Sequence, residues 1–211
     1  QDVAALERNL ATSEAALQKA AQALSAKRAS SATRLAAAAS AELPDLALPN
    51  AAFAVTLAPL LNIESTGAET VEFAFVRTRA SSPPEATFAA ARVSLAILVV
   101  CGDAAAVPTL VFDEVDVGVG GRVAAQVGRK LQTLATGRQV LCVTHMPQVA
   151  AHADHHFTVS RDNAQSPTTQ VDALDRKARL AEIARMLAGH EVGTATEKMA
   201  KELIASSARL S

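Results

Sequence analysis

The chain has 211 residues, a formal net charge of −1 and a hydrophobic content of 50%, with only 3% aromatic residues and neither Trp nor Tyr. This length suffices for one well-formed core, and the charge balance excludes a protein that binds nucleic acid through a uniformly basic surface. Alanine supplies much of the apolar content, which favours helices over a bulky β-sandwich core. The spacing of Cys101 and Cys142 fits neither a metal knuckle nor a disulfide framework, so we predict reduced, buried thiols.

Neither a signal peptide nor a membrane span is predicted. The longest apolar run, residues 93–102, is too short to cross a bilayer and is interrupted by Ser94. We therefore expect a cytoplasmic protein that makes no use of a membrane.

Residues 1–43 contain no Pro or Gly and predict one long helix. Leu10, Leu17 and Leu24 recur with heptad spacing, and Val3 lies one heptad earlier. This pattern predicts a coiled-coil arm, although small and polar residues at the companion positions leave an Ala-rich, solvated helix as the alternative. Because the helical pattern starts at the first residue, we expect a segment of a longer protein.

The next elements are predicted from prolines and from alternation. Pro44 and Pro49 end the arm helix. Apolar residues alternate with smaller or polar ones over residues 53–57 and 71–75, which predicts two antiparallel strands. Residues 86–100 then read as a helix with an apolar face.

From residue 109 onward, apolar strands alternate with helices, which predicts parallel strands covered on both faces. We predict strands at 109–113, 139–145 and 157–161, a polar loop at 162–170, and helices at 123–136, 147–153, 175–187 and 195–206. The predicted fold class is α/β, with additional antiparallel strands and one N-terminal arm helix.

Two adjacent acids follow the first of these strands. In a parallel sheet, the residues after the carboxyl end of a strand face the ligand crevice, which places Asp113 and Glu114 beside a bound phosphate ligand. One carboxylate there can hold Mg²⁺, and the other can orient and deprotonate a water. On an extended backbone, adjacent side chains point in different directions and can divide these roles. Two solvated acids at a strand end remain the alternative.

Glycines and a histidine strengthen the catalytic interpretation. Gly118, Gly120 and Gly121 permit close approach of the backbone to a partner. The next parallel strand delivers His145 to the same edge, where an imidazole can hydrogen-bond a γ-phosphate. A histidine in a purely structural role is the alternative.

Several stretches together carry a family resemblance: VFDEVDVGVGG, QVLCVTHMPQVAAHADHHFTV, RLAEIARMLAG, LPNAAFAV and GAETVEFAF. With these motifs the chain resembles the RecN family, DNA repair relatives of the SMC proteins with an ABC-type ATPase head. The resemblance runs from about residue 42 to 204, and over 1–41 it rests on coiled-coil character alone. It implies a coiled-coil arm at 1–43 and the C-terminal half of an ATPase head at 44–211.

The resemblance also implies residue roles. Asp113 would be the Walker B ligand of Mg²⁺, acting through water, and Glu114 the carboxylate that activates the attacking water. Residues Asp116 to Gly121 would form the D-loop, which crosses to the second head of a homodimer. His145 would be the switch histidine at the γ-phosphate of ATP.

Two departures from the family pattern stand out. The sequence contains no GxxxxGK[ST], so we expect the phosphate-binding loop, or Walker A, to come from the N-terminal half of the same head. We also expect no ATPase activity from this chain alone. The stretch matching the family's signature loop has Pro83 and Pro84 in place of two glycines, and proline lacks the N–H that would bind phosphate. Ser82 and Glu85 keep the matching nucleotide-contacting positions.

These observations predict a RecN-like ATPase segment acting in DNA double-strand break repair and recombination, with double-stranded DNA ends as a partner in the nucleoid. ATP would join two heads, and hydrolysis would release them. A non-catalytic remnant serving as a binding or assembly module is the alternative, favoured by the two prolines and the missing loop. A transporter ATPase subunit is a weaker third interpretation, because the arm and the glycine loop do not suit it.

Other clusters are interpreted as solvated surface. AHADHH at residues 151–156 groups three histidines and an acid, but no Cys or distant carboxylate is placed to complete a metal shell, and we favour a turn. The basic residues of 176–185 are accompanied by Asp172, Asp175 and Glu182, with a DNA-reading surface as the alternative. Those that follow the glycine loop, at 122–130, have a surface for DNA or the partner head as the alternative. Solvated helix faces are the preferred interpretation of both.

Overall fold

A computed structural model describes residues 2–77, 83–102, 107–161, 168–189 and 192–208, with the side chains of 77 and 83–89 left out. Ser82 and the Glu85 side chain, both predicted to contact nucleotide, lie outside the described residues. The chain divides into two compact units, one of Gln1–Pro44 with Asn50–Ala80 and one of Asp45–Pro49 with Ser81–Ser211. The functional division at residue 43 stays a prediction.

The first unit is a long helix with a hairpin beside it. Helix α1 spans Val3–Glu42, and the hairpin consists of β1, Ala51–Glu64, and β2, Gly67–Arg77. The strands pair antiparallel, as the alternation predicts, and extend well beyond the predicted cores. The Arg28 guanidinium fastens the hairpin turn to α1, donating to the Thr66 carbonyl at 2.7 Å and lying 3.5 Å from the Glu69 carboxylate.

The heptad residues of α1 lie on the surface of this unit. Apolar heptad and neighbouring side chains are 37–66% exposed: Val3, Leu6, Leu10, Leu17 and Leu24. The long helix is confirmed. Its apolar seam is available for a second helix, so the coiled-coil pairing stays a prediction.

The second unit carries the remaining elements. Its helices are α2, Pro83–Cys101; α3, Gly121–Leu134; α4, Pro147–Ala150; α5, Arg176–Ala188; and α6, Thr194–Ser207. Its strands are β3, Thr109–Phe112; β4, Gln139–Cys142; β5, Phe157–Arg161; and β6, Thr169–Ala173. Strands β3 and β4 pair in parallel, as predicted. The prediction of a parallel strand at 157–161 was wrong in its direction of pairing, because β5 forms an antiparallel ribbon with β6.

The sequence-based prediction was wrong for the region around β6. Residues up to 170 were predicted as a polar loop, but Thr169–Ala173 pairs with β5 in register, Val159 opposite Val171. In TQVDA a single bulky apolar residue stands among polar ones, and all five residues of this strand are exposed. Cross-strand hydrogen bonds rather than burial define this ribbon, so hydrophobic alternation gives little signal.

The core of the second unit joins helix faces to the parallel strand pair. Helix α3 buries one stripe, consisting of Ala124, Val127, Gly128, Leu131 and Leu134, at the spacing expected for an amphipathic helix. Helices α5 and α6 enclose Ile183, Ala184 and Ala200 against Ala150. No helix in the described ranges is long and apolar enough to cross a membrane.

Candidate active site

The parallel strand pair brings the predicted catalytic residues to one edge. Phe112 pairs with Cys142 at the ends of β3 and β4, and the Val143 amide donates to the Phe112 carbonyl at 2.9 Å. The residues that follow these ends are therefore neighbours: the two acids after β3, and Thr144 and His145 after β4. Asp113, Glu114 and His145 are exposed, with 67% of the histidine side chain accessible.

The second of the two acids, Glu114, begins a left-handed turn. Strand β3 ends at Phe112, and Glu114 has a φ of 57°, a conformation that non-glycine side chains rarely adopt. The Val117 amide closes the turn by donating to the Glu114 carbonyl at 3.3 Å. The expected alternation along an extended backbone therefore does not hold here. Strained conformations of this kind cluster at functional sites, and this one falls on the predicted catalytic carboxylate.

Asp116 lies inside its own unit. It is 1% exposed, and its carboxylate accepts a hydrogen bond from the Thr144 hydroxyl. Its other oxygen lies 3.8 Å from Nδ1 of His145. The Thr144 oxygen in turn accepts from the Met146 amide at 3.0 Å. The start of the glycine loop is thus joined to the segment that carries the histidine.

The loop glycines have different local environments. Gly118 has a φ of 73°, which favours glycine, and Gly120 is the N-cap of α3. A Cβ on Gly121 would lie 3.1 Å from Nε2 of Gln148. A Cβ on Gly128, one heptad further along α3, would lie 2.4 Å from Cδ2 of His152. These two contacts seat α4 directly on α3.

Two long side chains hold the far end of α4. Gln132 donates from Nε2 to the carbonyls of His152 at 3.2 Å and Ser207 at 3.1 Å, which links α3, the end of α4 and the end of α6. Arg179 of α5 donates to the Ala151 carbonyl at 2.9 Å. The helix that follows His145 is therefore fixed from both sides.

Burial controls the titration of several groups around the site. Burial, followed by the nearby carboxylates of Asp116 and Asp113, raises the pKa of the Cys142 thiol to about 12. Burial lowers the pKa of His152, with Arg129 adding to the effect and a hydrogen bond to the Ser207 backbone opposing it.

The His156 imidazole responds in the same direction. Burial lowers its pKa, Arg179 adds to that effect and Glu182 opposes it. His152 and His156 are thus held neutral by packing, while His155 between them is exposed. Within the described ranges, no three His, Cys, Asp or Glu side chains converge as a metal-binding group.

The residues at the strand edge fit a partial magnesium and phosphate site. Asp113 offers one exposed carboxylate, and Mg²⁺ in nucleotide sites characteristically keeps several waters and takes one or two carboxylates plus phosphate oxygens. The sequence of this chain contains no Walker A motif to cradle those phosphates. Asp113 and Glu114 can therefore supply the metal and water side of such a site, but not its phosphate loop.

Sequence comparison assigns the family. The chain is 40% identical over 195 residues to the "DNA repair protein RecN" of Haemophilus influenzae, an alignment covering 89% of this chain and 35% of that protein. It is 38% identical over 229 residues to the protein of the same name from Mycobacterium bovis, covering 97% of this chain and 39% of that one. The chain belongs to the RecN family. It corresponds to the C-terminal part of its relatives and spans little more than a third of their length.

Other comparisons are more distant. A solved structure described under "Structural biochemistry of ATP-driven dimerization and DNA stimulated activation of SMC ATPases" has 18% identity and a TM-score of 0.48, covering 72% of this chain and 91% of that one. The Smc head domain of Pyrococcus yayanosii has 20% identity and a TM-score of 0.45, covering 71% and 28%. No protein-family model matches the chain. The RecN assignment rests on the sequence relatives.

Sequence reasoning missed the inward orientation of Asp116 and any role for Thr144 and Gln148. Gly121 and Gly128 are seven residues apart, and their contacts Gln148 and His152 are four apart. The spacing of seven places both glycines on one face of α3, but only the structure shows what packs against that face. Nothing in the sequence indicated the bond between Asp116 and Thr144, because it depends on the strand register.

Proposed function

We propose that this chain is the catalytic C-terminal half of a RecN-type ATPase head. The observation that carries the proposal is the parallel pairing of β3 and β4, which puts Asp113, Glu114 and His145 at one sheet edge. In this assignment the substrate is ATP with Mg²⁺. The phosphate-binding loop comes from a segment that this sequence does not contain.

The residues then divide the reaction as follows. Asp113 would hold Mg²⁺, which would neutralise charge on the phosphates, and His145 would donate a hydrogen bond to the γ-phosphate. Glu114 orients the attacking water and accepts its proton. A bond forms between the water oxygen and the γ-phosphorus while the bond from that phosphorus to the ADP oxygen breaks, giving ADP and phosphate.

The exposed surface of the parallel pair supports the need for a further segment. Parallel strands are ordinarily covered on both faces. Here Val111 is 69%, Leu141 47% and Val143 64% exposed. Covering this apolar face with the segment that carries the phosphate loop would complete both the core and the site.

The names of the relatives support a cellular role in DNA repair. Its relatives are named DNA repair proteins. We propose that the assembled protein acts on double-stranded DNA ends in the cytoplasm during break repair and recombination, with ATP joining two heads. The exposed glycines Gly118 and Gly120 are the part of the loop available to a second head.

A non-catalytic assembly module is the second candidate, and the start of α2 favours it. Helix α2 begins at Pro83, and proline without an N–H is well tolerated in a first helical turn. The same two prolines remove backbone donors that the family's signature loop offers to phosphate. Under this candidate, Asp113 and Glu114 would be present in a protein that does not hydrolyse ATP.

The deciding experiment measures ATP hydrolysis by the full 211-residue chain, alone and mixed with the N-terminal part of a RecN relative that carries GxxxxGK[ST]. We expect hydrolysis only in the mixture. Glu114→Gln should abolish it, whereas Glu72→Gln, a matched change on exposed β2, should not. ATP binding by the mixture without any Glu114-dependent hydrolysis would favour the assembly module.

Dimerisation and DNA provide further tests. Mass measurement of the Glu114→Gln mixture with ATP should show a two-headed species that the ADP form lacks. Linear duplex DNA should stimulate hydrolysis more than covalently closed circles of the same sequence. Equal stimulation would remove DNA ends from the proposal while leaving the ATPase assignment in place.

A further inference from the structure

We propose that Asp116 and Thr144 form a positioning pair, which fixes His145 and the start of the glycine loop as one unit for ATP hydrolysis. The proposal rests on the ATPase function proposed above and assigns a task to a carboxylate that the reaction leaves unexplained. Neither residue touches the reacting atoms in this scheme. Both act through His145.

The burial of Asp116 is the first step. A carboxylate that is 1% exposed is costly to desolvate unless hydrogen bonds compensate. Its Oδ2 accepts from the Thr144 hydroxyl, and Oδ1 faces His145. The contacts of the Asp116 carboxylate with Thr144 and His145 therefore lie within its own unit.

The direction of the Thr144 hydroxyl is the second step. Its oxygen already accepts from the Met146 amide at 3.0 Å, a short-range bond that fixes the side chain against the backbone leading into α4. The hydroxyl proton is left to point at Asp116. One hydroxyl thus joins the carboxylate of the loop to the backbone on both sides of His145.

The position of the histidine is the third step. Nδ1 of His145 lies 3.8 Å from the Asp116 carboxylate, and within the described residues this is the polar contact that its side chain makes. With 67% of that side chain exposed, little packing restrains the ring. The Asp116 carboxylate is thus the group placed to orient the ring through Nδ1, and Nε2 would then serve a phosphate oxygen.

The loop therefore has two functional parts. Asp116 faces inward and holds His145, whereas Gly118 and Gly120 are exposed and face outward. The Gly121 contact with Gln148 adds a second connection between the end of the loop and α4. Displacing the loop from one side must then move the histidine segment on the other.

The test compares Thr144→Val, which removes the hydroxyl at nearly constant volume, with Thr144→Ser, which keeps it. In the reconstituted mixture of the 211-residue chain and the Walker A segment, Thr144→Val and Asp116→Asn should lower kcat by about 10- to 100-fold, as expected for misplacement of a catalytic group. The KM for ATP should change by less than about threefold, since binding depends on other groups. Thr144→Ser should restore most of kcat, and Thr158→Val on β5 should leave both constants unchanged.

A second readout follows the histidine directly. In the chain with ring-labelled histidine, the His145 signals are identified by their loss in His145→Asn. Thr144→Val and Asp116→Asn should shift those signals and leave the signals of the other four histidines unchanged. A general loss of folding would instead move all five and lower the far-UV circular dichroism.

The outcomes separate the two proposals. Wild-type hydrolysis with an unchanged kcat in Thr144→Val overturns the positioning pair alone, as does a Thr144→Ser variant that is as impaired as Thr144→Val. A wild-type mixture without Glu114-dependent hydrolysis overturns the ATPase function and, with it, the catalytic task of the pair. Unshifted His145 signals in both variants overturn the contact itself.

Discussion

Substitution of Gly128 by alanine tests how closely α3 and α4 pack. A Cβ at this position would lie 2.4 Å from Cδ2 and 3.0 Å from Cγ of His152, and 3.1 Å from the Gln148 carbonyl oxygen. Ordinary contacts of a Cβ begin near 3.4 Å, so the imidazole has to retreat by about 1 Å. His152 is buried and its carbonyl is bound to Gln132, which leaves little room for that movement.

Two opposing contributions set the size of the effect. Replacing glycine by alanine inside a helix stabilises the helix by about 1 kcal/mol. Forcing an extra methyl group into a packed interface costs about 1–3 kcal/mol, and the backbone oxygen of Gln148 cannot move aside without shifting α4. We expect the free energy of unfolding of Gly128→Ala to fall by about 1 kcal/mol, which corresponds to roughly 2–4 °C in Tm for a chain of this size.

Urea denaturation followed by far-UV circular dichroism is the suitable assay, because the chain has no Trp or Tyr for fluorescence. His152→Ala should remove most of the clash, so Gly128→Ala should cost less in that background than in the wild type. Gly193→Ala, at a helix N-cap with nothing near its Cβ, is the matched control and should cost less than about 1 kcal/mol. A Gly128→Ala chain about 1 kcal/mol more stable than wild type would refute the close packing.

Three further outcomes follow from the described groups. Glu114→Gly and Ala47→Gly, at φ 57° and 58°, should each raise the free energy of unfolding by about 0.5–1 kcal/mol, because glycine adopts a positive φ without strain. In the reconstituted head, only Glu114→Gly should abolish ATP hydrolysis. No stabilisation in either variant would contradict the left-handed conformation. A Cys142 thiol with a pKa near 12 holds roughly a thousandfold less thiolate at pH 8 than one at the usual 9.0, so in a single-cysteine form it should resist iodoacetamide until urea unfolds the chain. The pKa values of His152 and His156 are lowered from 6.5 in the folded chain, so on acidification the unfolded chain takes up protons at these residues before the folded chain does. As the pH drops below 6.5, the free energy of unfolding should therefore fall by up to about 1.4 kcal/mol per pH unit for each histidine. If His152→Gln left this pH dependence unchanged, the contribution of His152 would be contradicted.

The sequence by itself indicated the candidate site residues and the sheet edge on which they lie. Two parallel strands were predictable because apolar runs with helices between them make parallel strands, and such strands share a carboxyl edge. Their predicted ends, at residues 113 and 145, lie beyond the observed ends at Phe112 and Cys142. The long arm helix was likewise readable, since residues 3–42 contain neither Pro nor Gly. Both inferences depend on local composition and on periodicity.

Only the tertiary structure decided how these residues are oriented. The left-handed turn at Glu114 could not be predicted, because no glycine occupies that position. The inward orientation of Asp116 depends on the strand register, which places Thr144 beside it. Strand β5 was predicted at its observed bounds, whereas its partner β6 was missed because all five of its residues are exposed and carry little apolar pattern. Periodicity reports which face of an element is buried, whereas the partner of a buried carboxylate is fixed by distances between segments 28 residues apart in sequence.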